Sequence, residues 1–155
     1  MGERADVTLR TVDAAAVRPL RGEVLRRGQP PEASVYPHDE HVATVHLGAF
    51  TPDGVLVGIA TLLPPEDRNA GQPPYRSPGA RFRGMAVHPD WRKQGIGTRL
   101  LDEVERLAKA GGAKELWANA RVSAVSFYER QGLKVVSTAF EIPLLGEHLV
   151  VAEGL

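Results

Sequence analysis

The stretch VHPDWRKQGIGTRLL, Val87 to Leu101, constrains the fold more than any other. An apolar strand ending gives way to a proline turn, a pair of cations, a pair of glycines and the first turn of a helix. The first amides of a helix have no intrahelical partner, so a strand–loop–helix junction leaves them pointing outward at a turn that must satisfy them. Such a terminus attracts anions, and the helix dipole adds to the attraction. Glycines at 95 and 97 remove Cβ atoms that would keep a diphosphate from the backbone, and Arg92 and Lys93 bring opposite charge. A G-x-G pair can equally serve only its turn. The third glycine of a dinucleotide-binding fingerprint is missing, because Leu100 stands there, and no Gly-Lys-Ser/Thr completes a P-loop.

The rest of the chain sets this junction in a mixed fold. VTLRTV (Val7–Val12) alternates as a strand, and Asp13 stands where a helix N-cap would. Val17, Leu20, Val24 and Leu25 recur at helical spacing, with Pro19 expected to kink that helix or mark a restart, and Gly28 to close it. Gln29 to His41 reads as an irregular loop. ATVHLGAF (Ala43–Phe50) and GVLVGIATLL (Gly54–Leu63) form a hairpin pattern about the turn TPDG. Pro64 to Ala80 holds five prolines in seventeen residues, a length that marks a flap, an acceptor-side loop or plain disorder. Arg81 to Val87 is a third long strand. From Ile96, apolar residues at Leu100, Leu101, Val104, Leu107 and Ala108 define an amphipathic helix ended by Gly111-Gly112. KELWANA reads as a strand, SAVSFYERQG as a short helix capped by Ser123 and followed by Gly132. KVVSTAFEI and EHLVVAE read as two last strands. The order predicts a mixed α/β sheet covered by helices, in one domain spanning residues 1–155.

Composition removes whole classes of function. Nineteen basic and nineteen acidic residues cancel, so no basic surface favours nucleic acid, and Trp91 and Trp117 read as packing residues rather than a base-stacking platform. Absence of cysteine excludes disulfides, a thiol nucleophile and thiolate metal sites. The histidines lack metal-ligand spacing; only His38 and His41 are close, in a loop. No apolar run is long enough for a membrane span, and the N-terminus lacks a signal-peptide core and, at Ala5-Asp6, the Ser or Thr of a myristoylation signal. A cytoplasmic protein is expected. Apolar C-terminal strands suit a homodimer through sheet-edge pairing, although nothing specifies one.

Arg92-x-x-Gly95-x-Gly97 after MAVHPDW resembles the acetyl-CoA motif of the GNAT superfamily of acyl-CoA-dependent N-acyltransferases. Ala124-x-x-Phe127-Tyr128-x-x-x-Gly132-Leu133 resembles that family's second signature, with Leu133 in place of the usual Phe. The resemblance covers about Val42 to Val151. A likeness to the ElaA-like branch rests on LRGEVLRRGQP and His148. The family implies a mostly antiparallel central sheet with a splayed pair of parallel strands, flanked by helices, and acetyl-CoA as cosubstrate without a metal. It implies that the backbone of Met85, Ala86 and Val87 pairs with pantetheine, and that Arg92, Lys93, Gln94, Gly95, Ile96, Gly97 and Thr98 hold the pyrophosphate. Asn119, Arg121 and Ser126 are further cofactor contacts by the same resemblance. Arg121 departs from the asparagine that many members carry there.

The implied activity is N-acetyl transfer from acetyl-CoA to a primary amine, by direct attack in a ternary complex. By the same analogy a backbone N–H near Val87 stabilises the oxyanion and Tyr128 protonates the leaving thiolate; a core aromatic beside Phe127 is the competing role for Tyr128. Met85 reads as a core side chain whose backbone alone is functional. No base is evident: water could relay a proton to Glu141, His46 or His148, each as readily an ordinary pairing residue, and His88 suits a turn. Arg81 occupies the strand position where protein-modifying relatives carry glutamate, which argues for a small-molecule acceptor. An acyl-CoA-binding sensor with little turnover is the rival reading, drawing on Arg121 and the missing base; a nucleotide-binding regulator would keep only the loop. Tyr128 favours the enzyme over both.

Overall fold

A computed structural model describes residues 6–67 and 71–155. The myristoylation reading at Gly2 and Ala5, and the middle of the Pro64–Ala80 segment, lie outside the described residues. The strands are β1 (Thr8–Val12), β2 (Val45–Phe50), β3 (Leu56–Leu62), β4 (Gly79–Val87), β5 (Glu115–Arg121), β6 (Lys134–Val135), β7 (Phe140–Ile142) and β8 (Gly146–Gly154). The helices are α1 (Ala14–Leu20), α2 (Ile96–Ala110) and α3 (Val125–Arg130). By hydrogen-bonded neighbours the strands run β1-β2-β3-β4-β5-β8-β6, with β7 also on β8. The pairing is mostly antiparallel; β4 and β5 are the parallel pair, as the family resemblance implied.

The chain divides into two compact units. In the first, residues up to Leu63 together with Gly84–Arg106, β1 pairs β2 from Thr8↔Phe50 to Val12↔His46, and β2 pairs β3 from Val45↔Leu62. The TPDG turn closes the hairpin through Gly54 N–H to the Thr51 carbonyl at 2.9 Å. Val17, Leu20, Ile59 and Ala86 form its buried cluster. Asp13 caps α1 as its sequence position implied, accepting from Ala16 N–H at 3.0 Å. Asp13→Ala is expected to cost about 1 kcal/mol, read as a Tm lower by about 2–4 °C; an unchanged Tm would mean that solvent serves Ala16 equally well. Pro19 lies inside α1, and the helix continues not as α but as a π-helical segment over Arg21–Leu25.

In the second unit, Pro64–Arg83 with Leu107–Leu155, the parallel ladder comprises Gly79↔Glu115, Ala80↔Leu116 and Arg81↔Trp117. It ends there, although β5 continues to Arg121. β5 pairs β8 along its length, from Glu115↔Gly154 to Arg121↔His148. The segment before β4 is anchored: the buried Glu115 carboxylate accepts from Tyr75 N–H at 2.7 Å, and Lys114 N–H donates to the Pro78 carbonyl at 2.7 Å. These bonds tie its described residues to the start of β5.

Two expectations fail here. KVVSTAFEI is not one strand but β6 and β7 with a break between. The Ser137 hydroxyl accepts the Val150 N–H at 2.8 Å, taking a bond that a backbone carbonyl would have taken in a continuous ladder. Ser123 does not cap α3; it lies within a 3-10 turn, Val122–Ala124, and Ala124 occupies the cap without a side-chain bond.

Candidate active site

The first unit carries the loop between β4 and α2. His88 opens it, with its Nδ1 accepting from Asp90 N–H at 3.1 Å and its backbone N–H bound to the Val57 carbonyl at 2.8 Å, so it is a turn residue. Arg92 Nε donates to the Val87 carbonyl at 3.2 Å, tying the loop to the last residue of the strand. Lys93 adopts φ 62° and Gly95 φ 81°. Left-handed residues alternating with right-handed ones turn successive amides to one side, which makes an anion-binding concavity. The amides of Lys93, Gln94, Gly95, Ile96 and Gly97 donate no hydrogen bond among the described residues; the first ordinary helical bond is Arg99 N–H to the Gly95 carbonyl at 3.1 Å. A Cβ at Gly95 would meet nothing within 4 Å, so glycine there serves the positive φ and open space above the amides rather than close packing. Gly97 differs, lying inside the first turn of α2.

The side chains divide by use. Arg92 and Lys93 are exposed, Gln94 and Thr98 half-buried, whereas Ile96 and Ala86 are buried and offer only backbone. Met85 is half-buried rather than a core side chain, while its neighbour Ala86 packs into the buried cluster.

A buried ionic network, missed by the sequence reading, lies behind the strand. Arg21 is 0% exposed. It donates to both Asp39 carboxylate oxygens at 2.7 and 3.1 Å, to the Ser34 carbonyl at 3.1 Å and to Thr61 Oγ1 at 2.9 Å. Its guanidinium stacks on Tyr36 with 3.9 Å to the ring centroid. Thr61 Oγ1 also meets His46 Nδ1 at 2.8 Å, and His46 Nε2 meets the Asp39 carbonyl at 2.9 Å. That carbonyl can only accept, so His46 Nε2 is the donor to it. Both His46 nitrogens are thereby hydrogen-bonded within the network. Gly84, at φ 61° immediately before Met85, is where the network meets β4: a Cβ there would lie 3.2 Å from Arg21 Nε. The signal in the sequence was the pairing of Arg21 in LRGEVLRRGQP with an acid in the following loop, eighteen residues on.

The second unit carries the remaining candidates. Asn119 and Arg121 alternate with Trp117 on one face of β5, both half-buried, and Ser126 is exposed on α3. Tyr128 is 8% exposed, its ring set edge-on to Phe82 at 5.6 Å and Phe127 at 5.3 Å. Its hydroxyl makes no hydrogen bond among the described residues. Burial pushes this hydroxyl up to about 12, so it stays protonated and able to donate throughout the neutral range. His148 is buried, with Nδ1 at 2.8 Å from the Gly146 carbonyl, and Glu141 is exposed.

The sequence matches the Acetyltransferase (GNAT) family over residues 17–133, reaching further toward the N-terminus than the motifs alone implied. It is 31% identical over 148 residues to the uncharacterized N-acetyltransferase YitI of Bacillus subtilis (strain 168), covering 95% of each chain. It is 32% identical over 136 residues to a mycothiol acetyltransferase of Mycobacterium sp. (strain JLS), covering 83% of this chain but 38% of that protein. Among solved structures, an aminoglycoside 6'-N-acetyltransferase complexed with coenzyme A superposes with TM-score 0.71 at 15% identity, covering 95% of this chain and 96% of that one. An acyl-CoA N-acyltransferase from Pseudomonas aeruginosa superposes with TM-score 0.66 at 18% identity, covering 95% and 99%.

Proposed function

The chain belongs to the GNAT acetyltransferase family, and on that premise we propose that it transfers acetyl from acetyl-CoA directly to a primary amine of a small-molecule acceptor. The observation that carries this reading is the run of unpartnered amides from Lys93 to Gly97. Open space at Gly95 and the exposed cations Arg92 and Lys93 make that run fit a diphosphate. Arg92, Lys93, Gln94, Gly95, Ile96, Gly97 and Thr98 are assigned to the pyrophosphate, and the backbone of Met85, Ala86 and Val87 to the pantetheine arm. Asn119, Arg121 and Ser126 are assigned as further cofactor contacts.

Acetyl-CoA supplies an acetyl group already activated as a thioester. The protein's part is to orient it, to meet the developing negative oxygen with a backbone N–H near Val87, and to return a proton to sulfur. Tyr128 is assigned that proton. A phenol at about 12 is a weaker acid than a thiol of pKa about 8.5, so its contribution is a hydrogen bond that strengthens as charge gathers on the departing sulfur. The amine's proton is assigned to solvent once attack has begun.

Calorimetry tests the loop. CoA is expected to bind at least tenfold more tightly than pantetheine lacking the phosphates, by about the 1.5–3 kcal/mol of a charge-assisted bond; equal affinities would remove the pyrophosphate assignment. Gly95→Val places a branched side chain in the space above the amides at a positive φ that valine resists. It is expected to weaken CoA binding about tenfold or more while the protein remains folded by circular dichroism.

A further inference from the structure

Arg81 closes the parallel ladder opposite Trp117, and its guanidinium has no acceptor among the described residues. Its Cζ lies 5.3 Å from the centroid of the Trp117 ring, which is itself buried. The side chain is half-buried, its Nε is shut off from solvent without a hydrogen-bond partner, and it enters no hydrogen bond or close ion pair among the described residues. Burial lowers its pKa from the ordinary guanidinium range, and Glu66 opposes that only through space. An Nε–H that has lost water and gained no acceptor among the described residues is costly to hold. The indole covers one face and leaves the edge, where two parallel N–H groups suit a planar carboxylate.

We infer that Arg81 receives an anionic group of the acceptor, so that the amine acetylated by this protein also carries a carboxylate. The inference rests on the acyl-transfer reading. It is placed by the ladder: Arg81↔Trp117 is its last pair, and the next residue, Phe82, turns to the other face of the strand to touch the Tyr128 ring. Charge favours a monoanion: Glu66 already offsets part of the Arg81 field, which leaves a phosphate dianion over-compensated. In the reaction the amine nitrogen bonds the acetyl carbon, the carbon–sulfur bond breaks, sulfur takes one proton, the amine gives one up, and the carboxylate is unchanged.

The test uses two readouts on the full chain saturated with CoA or acetyl-CoA. In NMR, the arginine Nε–H signal absent from Arg81→Met identifies Arg81; methionine keeps an apolar stem over Trp117, so the fold is retained. Amino acids should shift that signal saturably and their carboxamides should not. A signal indifferent to every acid, or one that answers phosphoethanolamine and no amino acid, would overturn the inference. In steady-state assays the kcat/KM ratio of acid to carboxamide should fall about 10- to 100-fold in Arg81→Met, the weight of a charge-assisted hydrogen bond. Parent protein that acetylates acids and carboxamides equally would refute the carboxylate requirement while acyl transfer stands. A signal that answers acids without any acetylated product would refute acyl transfer while the anion site stands.

Discussion

Tyr128→Phe is expected to bind acetyl-CoA like the parent and to lose about 10²- to 10⁴-fold in kcat, the range of general acid catalysis. Only the phenolic oxygen is removed. The ring contacts with Phe82 and Phe127 remain, and the hydroxyl leaves no partner stranded, since it has none among the described residues. A purely packing role predicts unchanged turnover and unchanged Tm. The pH dependence separates the two further. Burial raises the Tyr128 hydroxyl to about 12, so its contribution to stability is whole below the unfolded value near 10 and is lost as pH rises through 12. The parent should therefore lose stability between pH 10 and 12 more steeply than Tyr128→Phe, and no alkaline limb of kcat below pH 9 should belong to Tyr128.

Asp39→Ala is expected to lower the unfolding free energy by about 3–5 kcal/mol, because it strands the Arg21 charge where water cannot reach it. That is a large fraction of the stability of an ordinary domain. Urea unfolding followed by circular dichroism measures it, and a loss below about 1 kcal/mol would mean that Glu40 or solvent replaces the carboxylate, as Arg18 already bonds Glu40 at 2.9 Å. Replacing both partners, as Arg21→Met with Asp39→Leu, should recover much of the loss, since apolar groups of similar volume leave no charge unpaired. Any change in kcat that survives in the stable double variant would then report on Gly84, which rests against Arg21 one residue before Met85.

Local signals in the chain carried much of the architecture. Asp13 capped its helix, TPDG closed its hairpin, and α2 ran from Ile96 to the residue before Gly111-Gly112, each because the controlling bond spans four residues or fewer. The loop between β4 and α2 was legible as a strand–loop–helix junction for the same reason: its glycines and cations lie within six residues. What escaped was set by distant partners. The helical spacing of Val17, Leu20, Val24 and Leu25 says nothing of a partner for Arg21, and only the folded chain brings Asp39, Thr61 and Tyr36 to it. Arg81 showed its sign but not its stacking on Trp117, which depends on the register of β4 against β5. The β-branched run from Lys134 promised one strand, and a single hydroxyl at Ser137 divided it.

Incubation of the protein and acetyl-CoA with a pooled library of primary amines, read by mass spectrometry, tests the central claim most directly. Acetylated product is expected from at least one amine, formed in step with free CoA, absent without protein and strongly reduced by Gly95→Val. Tight CoA binding by calorimetry with no acetylated amine from any pool would contradict it, and would make the loop a sensor's grip on CoA rather than part of a transferase.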